Sequence, residues 1–238
     1  MSDIVSVRVS DSAAPSARAD ITRPLRTIHP QARRRPAASV RPVGGVAKRA
    51  VDLSVAAVSL IALTPIFLLV ALAIKLDSRG PVFFLQRRGG FRGRPFLVTK
   101  FRTMTSADDG NVIAQAGRDD ARLTRVGKFL RKTSIDELPQ LFNVVRGEMS
   151  LVGPRPHAVA HDRHFRGIDP RYGRRFKARP GITGLAQVSG CRGETKNPES
   201  VRRRVDFDLR YIERWSLLLD IVIILRTLIL IVRDPNAV

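Results

Sequence analysis

Residues 53–74 restrict the possible folds of this chain more than any other feature, because they include no charged residue. At helical rise they span about 33 Å, which matches the hydrocarbon core of a bilayer. Basic residues flank this segment on both sides, with Lys48 and Arg49 before it and Lys75 and Arg79 after it. Since Lys and Arg favour the cytoplasmic side of a membrane, both ends of the segment are predicted to lie there.

Thr64 and Pro65 lie near the middle of this segment. Proline removes a helical hydrogen bond and bends the helix axis, and the Thr64 hydroxyl can bind a carbonyl that the proline frees. The sequence therefore favours a re-entrant membrane helix over residues 45–79, which enters the bilayer, breaks at Thr64-Pro65 and returns. Each arm would reach about 15–18 Å, roughly one leaflet. A straight span with a proline kink stays open, because such helices are common.

The formal net charge of +21 implies an anionic partner, which nucleic acid, acidic lipids or phosphorylated substrates would all provide. With one Trp and two Tyr, aromatic platforms for stacking bases are scarce, so lipid and phosphate are favoured over nucleic acid. Residues 1–44 are rich in Arg, Ala, Pro and Ser, and we expect a disordered basic tail that is not a secretory signal. Cys191 is the single cysteine, which excludes an internal disulfide.

Beyond the apolar segment, short β-prone runs at residues 82–86 and 96–100 enclose a Gly- and Arg-rich stretch, which predicts a β-hairpin. Residues 121–130 have the pattern of a short amphipathic helix suited to a membrane surface.

The C-terminal part is predicted to begin with a charged, mobile segment at residues 191–206 and a helix that starts at Asp208. Residues 215–232 are strongly apolar, but Asp220 and Arg226 interrupt them. Because charges inside a bilayer core are costly, we predict a buried or interfacial helix rather than a second span.

Asp136 and Glu137 are adjacent acids at the start of a predicted amphipathic helix. The apolar face of this helix follows at helical spacing and consists of Leu138, Leu141, Phe142 and Val145. A helix N-terminus stabilises negative charge, and Arg131 and Lys132 bring cations to the same end. Two acids facing a cationic cluster suit Mg²⁺ and phosphate.

Simple helix capping is the alternative role for these acids, because Ser134 and Glu137 have capping-box spacing. Pro139 argues against a cap at Ser134, since its ring would then meet the carbonyl of Ile135. A cap at Asp136 would keep the proline in the first turn.

Arg155 lies between Pro154 and Pro156, which would fix its backbone and hold its planar guanidinium for phosphate or a base edge. A solvated loop arginine is the alternative. His157, His161 and His164 have i, i+4, i+7 spacing, but no acidic residue or cysteine completes a metal site, so we disfavour one. The usual nucleotide-binding glycine motifs are missing from the sequence.

Taken together, these features resemble the bacterial sugar transferases that are monotopic phosphoglycosyl transferases. The resemblance covers about residues 48–234. Its motifs occur in the family's order and are Lys48-Arg-x-x-Asp52, Thr64-Pro65, Lys100-Phe-Arg-Thr-Met104, Leu130-Arg-Lys-Thr-Ser-Ile-Asp-Glu-Leu-Pro-Gln140, Ser150-Leu-Val-Gly-Pro-Arg-Pro156, Arg179-Pro-Gly-Ile-Thr-Gly184 and Asp208-x-x-Tyr211. Many relatives have serine where this chain has Thr64, and many carry additional spanning helices before the motif region, so this chain looks like the minimal form.

The resemblance implies an α-dominated α+β fold, in which a re-entrant helix hairpin, amphipathic interfacial helices and a small β-hairpin surround a compact catalytic domain. That domain would occupy residues 80–238 at the cytoplasmic face of the bacterial inner membrane. The implied reaction transfers a sugar-1-phosphate from a UDP-sugar to polyprenyl (undecaprenyl) phosphate, releases UMP and starts a lipid-linked glycan such as an exopolysaccharide.

The resemblance also assigns roles to residues. Asp136 would be the nucleophile that forms a covalent phosphosugar, and Asp136 and Glu137 would hold Mg²⁺. Arg131 would hold substrate phosphate and Arg155 the nucleotide or phosphate end. Lys100 and Arg102 are weaker candidates for the same anionic substrate.

Two other classes of function stay open, namely a membrane-associated nucleic-acid binder and a scaffold for glycan enzymes. The first predicts steep salt-dependent binding of DNA or RNA. The second predicts that substitutions at Asp136 change nothing. The expected partners are a UDP-sugar, polyprenyl phosphate and anionic lipids, without nucleic acid. The identity of the sugar, the glycan pathway and the oligomeric state, a homodimer included, stay open.

Overall fold

The computed structural model of this chain describes residues 42–105, 120–193 and 197–233. Their helices are α1 Gly45–Asp77, α2 Arg125–Lys132, α3 Gln140–Arg146, α4 Val159–Ile168, α5 Leu185–Val188, α6 Pro198–Glu213 and α7 Leu217–Arg233. Their strands are β1 Phe83–Gly89, β2 Pro95–Phe101, β3 Ser150–Val152 and β4 Gly181–Thr183. Helices thus dominate the described residues, as predicted. The predicted disordered tail lies outside them except for residues 42–44.

Helix α1 contains the apolar segment and runs unbroken for 33 residues with Pro65 inside it. The predicted interruption of helical structure at Thr64-Pro65 is therefore not present. The Thr64 hydroxyl donates to Leu60 O at 2.9 Å, whereas the carbonyl that loses its partner to proline is that of Ile61. Among the described residues, α1 is the one helix long and apolar enough to cross a membrane.

Both halves of α1 contact the short helix α3. From the first half, Arg49 donates to the carbonyls of Val144 at 2.5 Å and Val145 at 2.9 Å. From the second half, the Phe67 ring lies 5.8 Å from the ring of Phe142. At helical rise about 27 Å of axis separates these two α1 residues, while all of α3 spans about 10 Å.

Strands β1 and β2 form the predicted β-hairpin, which is antiparallel and pairs Phe83 with Phe101 and Gly89 with Pro95. The strands are longer than predicted because the pairing continues into the Gly- and Arg-rich stretch. Asn143 of α3 fastens this hairpin to the core, since its side chain accepts a hydrogen bond from Thr99 N at 2.9 Å. Helix α3 is thereby packed against β2, whose later residues reach the site.

A second, parallel sheet pairs β3 with β4, in the register Ser150 with Gly181 and Val152 with Thr183. Neither strand was predicted from the sequence. A Cβ atom at position 181 would collide with the backbone of Gly153, so this close approach requires glycine. The residues Gly153, Pro154 and Arg155 follow directly after β3 in the chain.

Helix α2 begins at Arg125 rather than at residue 121, because the Thr124 hydroxyl accepts a hydrogen bond from Gly127 N at 2.9 Å and caps it. Its Leu130 is buried whereas its Phe129 is exposed, so the two apolar residues do not share one buried side as the predicted pattern implied.

The prediction of a mobile segment up to residue 206 is wrong for residues 198–206, because α6 already begins at Pro198. Asn197 caps this helix, and Val201 and Val205 pack against Phe165. Their i, i+4 spacing is hidden in the sequence by the arginines between them. Asp208 accordingly lies inside the helix rather than at its start.

Helix α7 has one buried and one exposed side. Asp220 and Ile223 point into the core, while Leu218 and Leu225 are exposed. This agrees with the prediction of a buried or interfacial helix.

Candidate active site

The acid pair lies in a 3-10 turn, Ile135–Glu137, that precedes helix α3. The helix itself begins at Gln140, with Pro139 at its N-cap, so the prediction that the helix starts at Asp136 is wrong. A proline without an N–H is well tolerated at a helix entrance. Ser134 makes no side-chain capping bond, so the capping alternative is also wrong. The two carboxylates are therefore free to engage other groups.

Glu137 is held by two cations that come from distant parts of the chain. Arg155 donates to Oε2 at 3.0 Å and to Oε1 at 2.5 Å, and Lys100 Nζ donates to Oε1 at 2.7 Å. Burial opposes ionisation of Glu137, but these two cations outweigh it and hold the pKa of Glu137 well below its ordinary value. Glu137 is therefore an anion at neutral pH.

Asp136 has a different environment although it is the neighbouring residue. Its side chain is buried, and the nearby Lys100 Nζ stands 3.8 Å away, too far for a hydrogen bond. Burial raises the pKa of Asp136 to about 6, although the positive charges of Lys100 and Arg131 oppose this effect. Asp136 is thus ionised at neutral pH but poorly solvated, which suits a carboxylate nucleophile.

The two remaining predicted cations, Arg131 and Arg102, lie in different environments. Arg131 lies in the last turn of α2, close enough for its charge to lower the pKa of Asp136. The Arg102 guanidinium instead donates to the carbonyls of Arg79 and Ser78, just after the end of α1. These bonds tie Arg102 to the segment that follows α1 and satisfy two backbone carbonyls there.

A buried polar network behind Arg155 was missed by the sequence analysis. Arg175 Nη2 donates to the carbonyl of Arg155 at 2.7 Å, and its Nε donates to Asp208 at 2.6 Å. Arg88 Nη1 donates to the carbonyl of Pro156 at 2.7 Å. Only the Asp208-x-x-Tyr211 motif pointed to this region. The arginines gave no signal, because a buried arginine and a surface arginine look alike in a sequence.

His157 belongs to the same network. Its Nε2 lies 3.0 Å from Arg204 Nη1, and its Nδ1 lies 2.6 Å from the hydroxyl of Tyr172, which in turn donates to Asp162 at 2.5 Å. Burial and the surrounding arginines hold the pKa of His157 well below its ordinary value, so the ring is neutral. In a neutral ring one of these nitrogens accepts a hydrogen bond and the other donates one.

The residues of the acid pair are compatible with Mg²⁺. Within residues 42–105, 120–193 and 197–233, no three His, Cys, Asp or Glu side chains lie in an arrangement that could hold a metal ion. Mg²⁺ is commonly held by one or two carboxylates together with substrate phosphates and waters. The buried Asp136 carboxylate lies beyond hydrogen-bond distance of Lys100, which leaves it suited to a cation.

Residues 43–234 match the family model described as Bacterial sugar transferase. The chain therefore belongs to the bacterial sugar transferase family, and it is an enzyme of the phosphoglycosyl transferase class. This confirms the resemblance that the motifs indicated.

Several relatives have names that state an activity or a role. UDP-glucose:undecaprenyl-phosphate glucose-1-phosphate transferase of Caulobacter vibrioides is 53% identical over 206 residues, which cover 84% of this chain and 77% of that protein. The Escherichia coli K12 protein of the same name is 49% identical, with 78% of this chain and 41% of that protein covered. Exopolysaccharide production protein PSS of Rhizobium leguminosarum is 45% identical, with 77% and 94% covered.

Proposed function

We propose that this chain transfers glucose-1-phosphate from UDP-glucose to undecaprenyl phosphate and so starts a lipid-linked glycan for an exopolysaccharide. The names of the Caulobacter and Escherichia coli relatives support this sugar and this lipid, and the name of the Rhizobium relative supports an exopolysaccharide. The observation that carries the proposal is the acid pair itself, in which Asp136 is buried and poised while Glu137 is held by Lys100 and Arg155.

Asp136 is the proposed nucleophile. A carboxylate oxygen attacks the phosphorus that bears the sugar, and the bond from this phosphorus to the bridging oxygen breaks. UMP leaves with the bonding electrons, and a phosphosugar remains on Asp136. An oxygen of undecaprenyl phosphate then attacks the same phosphorus and releases the carboxylate. Two easier displacements replace one difficult transfer.

Lys100 and Arg155 are the proposed ligands of the substrate diphosphate. Both point at the carboxylates, and the guanidinium of Arg155 matches the geometry of phosphate as well as that of Glu137. The diphosphate must therefore share or replace Glu137 on these cations. Arg131 adds positive charge on the side of Asp136. We no longer assign Arg102 to the substrate, because its guanidinium is used at the end of α1.

We retain Mg²⁺ as the cofactor, with Asp136 and Glu137 as its ligands. When bound, it would offset the repulsion between a carboxylate and the negatively charged diphosphate.

The proposed location is the cytoplasmic face of the inner membrane, with α1 entering one leaflet and returning. The contacts of both halves of α1 with the short α3 support a bend, because a straight helix would carry Arg49 and Phe67 far apart. A proline and a threonine that bonds back to the preceding turn are both known to bend helices. The many cations of the chain would then meet anionic lipid headgroups.

The proposal is tested by incubating the purified chain with Mg²⁺, undecaprenyl phosphate and a panel of UDP-sugars. We expect UMP release and a lipid-linked glucose phosphate with UDP-glucose, and neither product with the Asp136→Asn variant. Equal products from Asp136→Asn would contradict the proposed site, and no product from the parent chain would support the scaffold alternative.

A further inference from the structure

A buried cluster of charged side chains joins the first half of α1 to α7. Lys48 Nζ lies 2.6 Å from Asp220 and 3.6 Å from Asp52, and all three residues are buried. Tyr211 OH lies 2.8 Å from Asp220, and Trp215 Nε1 donates to Asp220 at 3.1 Å. Buried charges of this kind persist only where they are paired and hydrogen-bonded. None of these side chains contacts the acid pair.

Asp52 connects this cluster to strand β3. Its Oδ2 accepts from the hydroxyl of Ser150 at 2.7 Å, and its Oδ1 accepts from the backbone N–H of Leu151 at 3.2 Å. The hydroxyl of Tyr211 also lies 3.0 Å from Val152 O on the same strand. Every residue of β3 is thus held by a side chain from α1 or α6. A carboxylate is a strong acceptor, so the bonds to Asp52 fix the strand firmly.

Strand β3 leads directly to Arg155. Only Gly153 and Pro154 separate the two, and both are tied to the neighbouring strand. Gly153 N donates to Thr183 O at 2.9 Å, and Pro154 O accepts from Gly181 N at 3.1 Å. Little backbone freedom therefore remains between the Asp52 contacts and the guanidinium that holds Glu137. A displacement of β3 would therefore displace Arg155 by nearly the same amount.

We infer that Asp52 is a positioning residue that sets the place of Arg155 relative to the membrane helix. This inference rests on the proposed function, in which Arg155 binds the substrate diphosphate. It gives a reason for a buried carboxylate on the first half of α1: the helix that enters the membrane and the arginine that binds the soluble nucleotide sugar share one rigid connection.

A double-mutant cycle tests the inference. Asp52→Asn and Arg155→Lys are made singly and together, and the KM for UDP-glucose and kcat are measured for all four proteins. We expect Asp52→Asn to raise KM about 5- to 10-fold in the parent and less than 2-fold in the Arg155→Lys background, because positioning matters only while the bidentate guanidinium is present. An equal increase in both backgrounds would show a structural role and overturn the inference.

Two further variants keep the test decisive. Ser150→Ala removes one of the Asp52 bonds and should raise KM in the same direction, so the inference is tested even where Asp52→Asn folds poorly. Asp77→Asn is the matched control, since Asp77 lies at the other end of α1 and accepts from Val126 N at 3.1 Å. Its effect should be the same in both Arg155 backgrounds. Coupling of Asp77 as strong as that of Asp52 would contradict a specific connection.

The same cycle run on the dissociation constant of UDP separates the inference from the proposed function. Binding coupled between Asp52 and Arg155 without any sugar transfer by the parent protein would sustain the inference and reject the function. Transfer by the parent without coupling in either KM or UDP affinity would reject the inference alone.

Discussion

Arg155 holds Glu137 through two parallel hydrogen bonds, at 3.0 Å to Oε2 and 2.5 Å to Oε1. The neighbouring Asp136 receives no comparable bond from Lys100, which stands 3.8 Å away. The two acids are adjacent in sequence, yet their environments move their pKa values in opposite directions. Such divergence is typical of acids with different roles in one site.

Asp136→Asn is expected to abolish sugar transfer and to stabilise the fold. The pKa of Asp136 is raised to about 6 from an ordinary value of 3.8, so the folded protein disfavours the charged form. Above pH 6 a neutral side chain avoids this cost, and the gain should be on the order of 1–3 kcal/mol. Thermal unfolding at pH 7.5 measures it.

Glu137→Gln is the matched control and should have the opposite effect on stability. Glu137 has a lowered pKa, so its charge stabilises the fold above its unfolded pKa. Its loss removes the charged hydrogen-bond acceptor of Lys100 and Arg155, which should cost about 1–3 kcal/mol. A lower melting temperature for Asp136→Asn than for Glu137→Gln would contradict the environments assigned to the two carboxylates.

The rate of transfer should fall in acid because Asp136 must be ionised to attack. The value of kcat/KM for UDP-glucose reports the free enzyme and should rise from pH 5 to pH 7 with an apparent pKa near 6. Lys100 lowers the pKa of Asp136, so the Lys100→Met substitution should move this rise in kcat/KM to higher pH. A profile of the Lys100→Met variant that is shifted to lower pH would contradict the assignment.

Arg155→Lys is expected to weaken substrate binding, whereas Arg102→Lys is expected to lower the stability of the fold. Arg155→Lys keeps the charge but loses the planar fork, so KM for UDP-glucose should rise about 10- to 100-fold. Arg102→Lys should lower the melting temperature and leave KM within 2-fold, because Arg102 bonds to carbonyls at the end of α1. Steady-state kinetics and thermal unfolding of both variants measure the changes in KM and in melting temperature. An increase in KM that is larger for Arg102→Lys would restore Arg102 to the substrate site.

The path of α1 through the membrane can be mapped with single cysteines. Cys191 is first replaced by serine, and cysteines are then placed at Val46 and Arg79, on either side of the apolar segment. A re-entrant helix predicts that a membrane-impermeant thiol reagent labels both positions from the cytoplasmic side of sealed vesicles and neither from the other side. Labelling of the two positions from opposite faces would establish a straight span.

The sequence predicted the features that depend on local pattern. The apolar segment and the β-hairpin follow from spacing and turn residues. The predicted apolar face of α3 is only partly right, because Leu141 is buried but Val145 is exposed and Val144 is buried instead. Asp136, Glu137, Lys100 and Arg155 were recognised from motifs, and the structure brings all four together.

Features that depend on distant contacts were not predictable. Strands β3 and β4 have three residues each and pair across a long stretch of chain, so neither has a recognisable pattern of its own. The 3-10 turn before α3 displaced the predicted helix start, because a local pattern does not distinguish the two helix types. Arg102 looks like a substrate ligand in sequence, and only its tertiary contacts with the end of α1 indicate otherwise.

The claim that Asp136 is the nucleophile is tested most directly by intact-protein mass spectrometry after incubation with UDP-glucose and Mg²⁺ in the absence of undecaprenyl phosphate. We expect a mass increase of one glucosyl phosphate, carried by the peptide that contains Asp136, lost on adding undecaprenyl phosphate and missing from Asp136→Asn. Full transfer activity in the Asp136→Asn variant, or an adduct on a different residue, would contradict the account.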